Sequence, residues 1–421
     1  MRIPITLAVA LLALAATADA SAQDAFSVDE AVSIALEGNR SLARAKIDRE
    51  AASRALSLAW NDLVPSLSVG ASASASDGRG SVGGSATASL SLSAESLHAR
   101  SQAELAYVTA ELAYETARRD VELSVRTAFY ALLLKQEKIR LAEQNVATAR
   151  KSYEQAEARR KAGVAPELDA LSALVRLEKL GPALESARMD YETSLDSFRQ
   201  LLGLEPGAPV TLTGSLDASP VAVRAAAAVD PAAAAVSSPS VRTMERSKAS
   251  AEASLAKARR AVYSPSLSLS ASYRPSRTDA SLSGSGSLSA SVSLGLDDML
   301  PWSDARLAVA SAEDAVAKID SQLAEASAKA VSGAASLQRT IAQAAKSLET
   351  GRLSESLAAR TYALTEEAYR FGTKDLLSLQ SAQDSLAEAR VSVSESAYAL
   401  IVALLNLEYA LGEPFGSLGR D

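Results

Sequence analysis

Two periodicities take turns along this chain. Leu67, Val69, Ala71, Ala73 and Ala75 alternate with Ser66, Ser68, Gly70, Ser72 and Ser74. After an Asp77-Gly78-Arg79-Gly80 turn signal, Ala86, Ala88, Leu90 and Leu92 alternate with Ser85, Thr87, Ser89, Ser91 and Ser93. The pattern returns at Leu267, Leu269, Ala271 and Tyr273, and again at Leu288, Ala290, Val292 and Leu294, spaced by serines. Period two predicts β-strands, here two hairpins at about 65–94 and 265–296. Strict alternation over about ten residues fits a transmembrane strand, apolar towards lipid and polar towards a lumen. A Ser/Ala-rich flexible linker would share the composition, but four occurrences at equivalent places in two halves favour strands.

Elsewhere the period is that of a helix. Residues 95–162 contain neither Gly nor Pro, which predicts one helix roughly 100 Å long. Val121, Val125, Phe129 and Leu132 share a face while Leu123 and Tyr130 lie on others, so this helix has more than one neighbour. Residues 302–371 match it, interrupted only by Gly333 and Gly351. Shorter helices are expected at 167–202 and 373–411, and others open the two halves at 28–61 and 240–263. Ser27 followed by Glu30 is a capping box for the first. Leu376, Leu379, Leu386, Val393, Ala397, Leu400, Leu404, Leu407 and Leu411 keep three/four spacing in the last. Gly181-Pro182 is expected to kink or break its helix.

The punctuation repeats in order. Pro65 and Pro265 are 200 residues apart, while Gly163 and Gly372, like Gly203 and Gly412, are 209 apart. Two related halves are therefore expected at 23–203 and 239–412, joined by a Pro-, Ala- and Val-rich segment at 204–238 and followed by a tail at 413–421.

Composition then narrows the chemistry. Hydrophobic residues are 48% of the chain but aromatics only 4%, the usage of long helices in close contact. There is no cysteine, which excludes disulfides, thiolate metal sites, a cysteine nucleophile and lipid attachment at an N-terminal Cys. A single histidine, His98, argues against a His-based zinc site or a Ser-His-Asp triad. A net charge of -7 argues against nucleic acid as the main partner. No enzyme activity, cofactor or metal is expected. Residues 1–22 read as an export signal: Arg2, an apolar run from Ile3 to Ala16, then Ala18-Asp19-Ala20 or Ala20-Ser21-Ala22 as the cleavage pattern. No later stretch holds eighteen consecutive apolar residues, so no transmembrane helix is expected.

Four strands cannot close a barrel with a lumen, and a sheet spanning lipid tolerates no open edge. Several chains must therefore each contribute four strands, with the long helices continuing as a second tube. Such an assembly is a conduit rather than a reaction site.

These landmarks resemble the TolC family of outer-membrane efflux proteins. Val28-Asp29-Glu30-Ala31-Val32-Ser33-Ile34-Ala35-Leu36-Glu37-Gly38-Asn39 is similar to the family's N-terminal signature, and Trp60 through Ser68 to its approach to the first strand. Tyr369-Arg370-Phe371-Gly372-Thr373-Lys374-Asp375-Leu376-Leu377 is similar to its helix-turn signature at the periplasmic tip. The resemblance implies a mostly α homotrimer with a small β part. Long antiparallel helices would form a trimeric α-barrel tunnel in the periplasm, joined to a shared 12-stranded transmembrane β-barrel in the outer membrane. It implies a periplasmic adaptor (membrane fusion) protein and an inner-membrane transporter as partners, with outer-membrane lipid around the barrel, and drug efflux, metal efflux or type I secretion as the task. Segment 204–238 would be an equatorial belt; on its residues alone it reads equally as a flexible linker.

The resemblance also implies a gate at the tip turns Gly163 and Gly372. Tyr369 matches the family's tyrosine, Lys374 stands where the family often has Arg, and Asp169 matches the acidic partner. Lys lacks the bidentate fork of Arg, so a looser latch is expected; the plain alternative is solvated charges at helix ends. Some members place two acidic residues six and nine positions after the second tip glycine. Here those positions are Ser378 and Ser381, so a cation-binding acidic ring is not expected and the mouth should be less selective. Asp375 and Asp384 are nearby, but no motif assigns them to the lumen. Trp60, Tyr263 and Trp302 are expected to anchor at the lipid interface and His98 at a strand-to-helix junction. The competing reading is a soluble periplasmic coiled-coil scaffold or adaptor, with the Ser-rich hairpins as surface loops.

Overall fold

A computed structural model describes residues 25–76, 79–217, 220–278 and 281–419. The expected export signal at 1–22 and the Asp77-Gly78 half of the first turn lie outside the described residues. In chain order the elements are β1 (Ala25–Phe26), α1 (Val28–Gly38), α2 (Arg40–Leu58), β2 (Ser66–Ser76), β3 (Arg79–Leu92), α3 (Ala94–Lys161) and α4 (Glu167–Leu202). Then come β4 (Thr211–Leu212), α5 (Pro220–Ala228), α6 (Ala234–Ser237), α7 (Pro239–Ala261), β5 (Ser266–Thr278), β6 (Ser281–Ser293), α8 (Asp304–Arg370) and α9 (Leu376–Leu411). The chain is mostly helical with four antiparallel strands in its main sheet, and the order of elements repeats.

Two expectations need correction. The helix expected at 28–61 is two helices. Asn39 is extended between them (φ -69°, ψ 122°), and its side-chain amide donates to the Leu201 carbonyl at 2.7 Å. A tertiary hydrogen bond and a close backbone crossing outweigh local propensity there. Ser238 breaks the second half in the same way between α6 and α7. Conversely, α4 runs unbroken through Gly181-Pro182. Pro182 faces outward and Gly181 has open space around it, so the missing N–H and the ring clash fall on the wet side of the helix. The 204–238 segment, which the sequence left open between belt and linker, holds a short strand and short helices, with Ala222, Ala226 and Ala234 buried.

The chain divides into two compact units. One holds Ser124–Asp217, Thr350–Tyr398 and the chain up to Asn39. In it, β1 pairs in parallel with β4, and Ser27 caps α1 reciprocally with Glu30, whose carboxyl is held below its usual range by the Ser27 backbone N–H. Its core sets Phe129 and Leu132 of α3 against Leu195, Phe198 and Leu202 of α4, the two phenylalanine rings 6.4 Å apart. α1 and α4 cross so closely that a Cβ on Gly203 would lie 2.0 Å from the Gly38 carbonyl oxygen.

The other unit holds Arg40–Leu123, Ala218–Glu349 and the chain from Ala399 onward. It contains the four-stranded sheet. It also contains the last turns of α9, where Leu400, Leu404, Leu407 and Leu411 are buried. α9 is long and apolar enough to cross a bilayer by composition alone, but 44% of that apolar window is buried inside the chain. Arg119 pins the end of α9 by donating to the carbonyls of Gly412 and Glu413 (2.5 and 2.6 Å). The Glu408 carboxylate accepts from the backbone N–H groups of Gly416 and Leu418.

Candidate functional site

The sheet has the order β2-β3-β5-β6 and is antiparallel throughout. Its register puts like with like: Leu67, Ala88, Ala271 and Leu288 form one cross-sheet row and Val69, Ala86, Tyr273 and Gly286 the next. That face is bare, with Leu67 81%, Val69 88% and Leu288 82% exposed. Each such side chain left in water forgoes roughly 1.5–3 kcal/mol of burial, so a contiguous exposed apolar face belongs against another apolar phase. The opposite face is a hydroxyl ladder. Ser266–Ser293, Ser268–Ser291, Ser270–Ser289, Ser272–Ser287 and Ser276–Ser283 join β5 to β6 with Oγ···Oγ distances of 2.6–2.9 Å. β2 and β6 are the edges.

Exposed aromatics flank the helix-proximal ends of the strands. Trp60 lies under the Arg100 guanidinium at 4.8 Å, and Tyr263 under Arg306, which also donates to its hydroxyl at 2.7 Å. Trp302 is 80% exposed. His98, in the first turns of α3, accepts from Arg260 at 2.9 Å.

In the first unit, α3 and α8 end in matching caps. Val164 N–H bonds to the Arg159 carbonyl and Gly163 N–H to that of Arg160. Thr373 N–H bonds to the Ala368 carbonyl and Gly372 N–H to that of Tyr369. Both are Schellman closures, and Gly163 (φ 71°) and Gly372 (φ 79°) supply the left-handed residue they require.

The candidate gate residues are distributed unevenly. Tyr369 is 3% exposed, packed with Ala156, Ala170, Ala173, Leu376 and Leu379. Asp169 is half-buried in the first turn of α4, and Lys374 is exposed. Among the described residues, no hydrogen bond or ion pair joins Asp169, Tyr369 and Lys374 within the chain. What holds Tyr369 is Arg159, unnoticed in the sequence, whose guanidinium covers the ring and donates to the Tyr369 carbonyl. Its only signal was the basic run Arg159-Arg160-Lys161 at the end of α3, which also suits a helix C-terminus.

The nearby acids have structural partners. Asp375 caps α9: the hydroxyl and backbone N–H of Ser378 donate to its carboxyl and lower its pKa. Asp384 receives both terminal nitrogens of Arg176 and ties α4 to α9. Ser378 and Ser381 line an open groove of about 570 Å³ with Thr361, Thr365 and Ser385. Nothing acidic lines that groove.

Both halves of the chain, residues 31–204 and 231–413, match the family of outer membrane efflux proteins. The chain belongs to this family. It is therefore an outer-membrane protein of a channel family, with its helical part in the periplasm. No curated protein matches its sequence. Among solved structures, it is similar to a membrane protein from Pseudomonas aeruginosa (20% identity, TM-score 0.76, covering 95% of this chain and 93% of that one). It is also similar to CusC (18%, 0.77, 95% and 96%) and to the outer membrane protein VceC from Vibrio cholerae (15%, 0.74, 92% and 96%). Family membership sets aside the soluble scaffold reading.

Proposed function

We propose that three copies of this chain form one exit duct, through which solutes pass from a periplasmic adaptor and an inner-membrane pump to the exterior. The observation that carries this reading is the sheet: an exposed apolar face, a serine face and two edges, β2 and β6, on four strands. Pairing β6 of each copy with β2 of the next gives a closed twelve-stranded wall, satisfies both edges and turns the serines towards water. The long helices continue the wall as the periplasmic tunnel, with the 204–238 segment as its belt. The solute moves passively, and the pump supplies the energy. Two further solved structures to which the chain is similar, CmeC from Campylobacter jejuni and OprN, are outer membrane channels, which supports the reading.

At the tip, Tyr369 is locked in its own chain by Arg159. On this reading the latch is Asp169 of one copy against Lys374 of its neighbour, with Gly163 and Gly372 as the turns that shift on opening. An exposed Lys–carboxylate pair is weak, on the order of 0–1 kcal/mol, so the latch opens readily. Single-channel conductance in planar bilayers tests both levels. Asp169→Ala and Lys374→Ala should each raise conductance or open time; unchanged behaviour in both removes the latch. A purified wild-type protein that forms no channels contradicts the duct.

A further inference from the structure

The serine ladder of the β5–β6 hairpin is interrupted once. Where the alternation calls for another serine, between the Ser272–Ser287 and Ser276–Ser283 rungs, stands Arg274, opposite Ser285. The register that pairs Gly83 with Ser276 and Ala86 with Tyr273 puts Ser85 of β3 on its other side, and Ser85 in turn pairs with Gly70 of β2. The cross-sheet row at this level is therefore Gly70, Ser85, Arg274, Ser285, one large cation among the smallest side chains. Arg274 is exposed, and among the described residues it makes no hydrogen bond or ion pair. β2, β3, β5 and β6 contain no Asp or Glu. A guanidinium without a counterion needs water, and on a lipid face it would cost about 2–4 kcal/mol near mid-membrane. Its position on the hydroxyl face agrees with a water-filled lumen on that side.

We propose that Arg274 makes the outer part of the duct attractive to anions. The proposal rests on the shared-barrel reading. There, each copy contributes one Arg274 at the same height, one residue beyond Tyr273 and towards the hairpin ends of the strands. Three Arg274 side chains, on strands that hold no acidic residue and only two other arginines, Arg79 and Arg277, form a basic ring, the arrangement that favours anions in pores. The ring acts over about a Debye length, ~10 Å at 0.1 M salt, so its effect fades as salt rises. The solutes it favours are organic or inorganic anions.

The test is the anion-to-cation permeability ratio, from reversal potentials in KCl gradients kept below about 0.1 M. Arg274→Ser, which restores the ladder residue, should lower the ratio about two-fold or more relative to wild type, Arg274→Glu should lower it further, and Arg274→Lys should preserve it. Normal channels with the same ratio in all four proteins would overturn the inference while leaving the duct intact. Wild-type protein without any channels would overturn both. A second readout needs only the wild type: inositol hexakisphosphate added on the barrel side should reduce the current at low salt and lose its effect at high salt. Current indifferent to it at low salt contradicts the ring.

Discussion

The guanidinium of Arg159 lies 4.7 Å from the centroid of the Tyr369 ring, and its Nη1 donates to the Tyr369 carbonyl at 2.9 Å. One side chain at the end of α3 thus holds both the ring and the backbone at the end of α8. Arg159→Ala should cost about 1–2 kcal/mol of stability and should loosen the tip, seen as faster limited proteolysis near Gly372. Arg159→Lys should recover little of this, because an ammonium cannot stack and donate with the same planar group.

Two helix-ending glycines with left-handed φ, Gly163 and Gly203, should respond differently. Gly163 has a left-handed φ but open space around it, so Gly163→Ala should cost about 1–2 kcal/mol and still fold. At Gly203, the same φ sign is combined with a Cβ position 2.0 Å from the Gly38 oxygen. Gly203→Ala should abolish folded protein at ordinary growth temperature, read as loss of the protein from the envelope.

What was legible in the sequence was local. Period-two serines marked the strands because each strand has one wet and one apolar face, and glycine marked the helix ends because the cap requires a left-handed φ. Asn39, Pro182 and Arg159 were not legible. The break at Asn39 depends on a carbonyl 162 residues away, the continuity through Pro182 on which side of α4 meets water, and the role of Arg159 on a ring 210 residues further along. For the gate, the sequence named Tyr369, Lys374 and Asp169, yet it could not show that Tyr369 is buried while Lys374 is exposed.

The two faces of β6 should tolerate charge unequally. Leu288→Arg on the apolar face should cost about 2–4 kcal/mol if it sits near mid-membrane and should lower the yield of assembled protein, whereas Ser287→Arg on the hydroxyl face should assemble normally. Equal yields of the two variants would place lipid elsewhere.

Tyr409 donates its hydroxyl to Asp120, and burial with that carboxylate pushes its pKa up to about 12. The folded state holds this proton more tightly than the unfolded chain. The stabilisation is therefore full below the ordinary tyrosine pKa near 10 and is lost as pH rises towards 12. Tyr409→Phe should be less stable than wild type by about 1 kcal/mol at neutral pH. Denaturant melts across the alkaline range should show that difference shrinking.

The shared barrel is tested most directly by the molar mass of the detergent-extracted protein, measured by light scattering after envelope fractionation. A protein mass three times that of the mature chain, recovered from the outer membrane, is the expected result. A monomer or dimer, or recovery as a soluble periplasmic species, would contradict it.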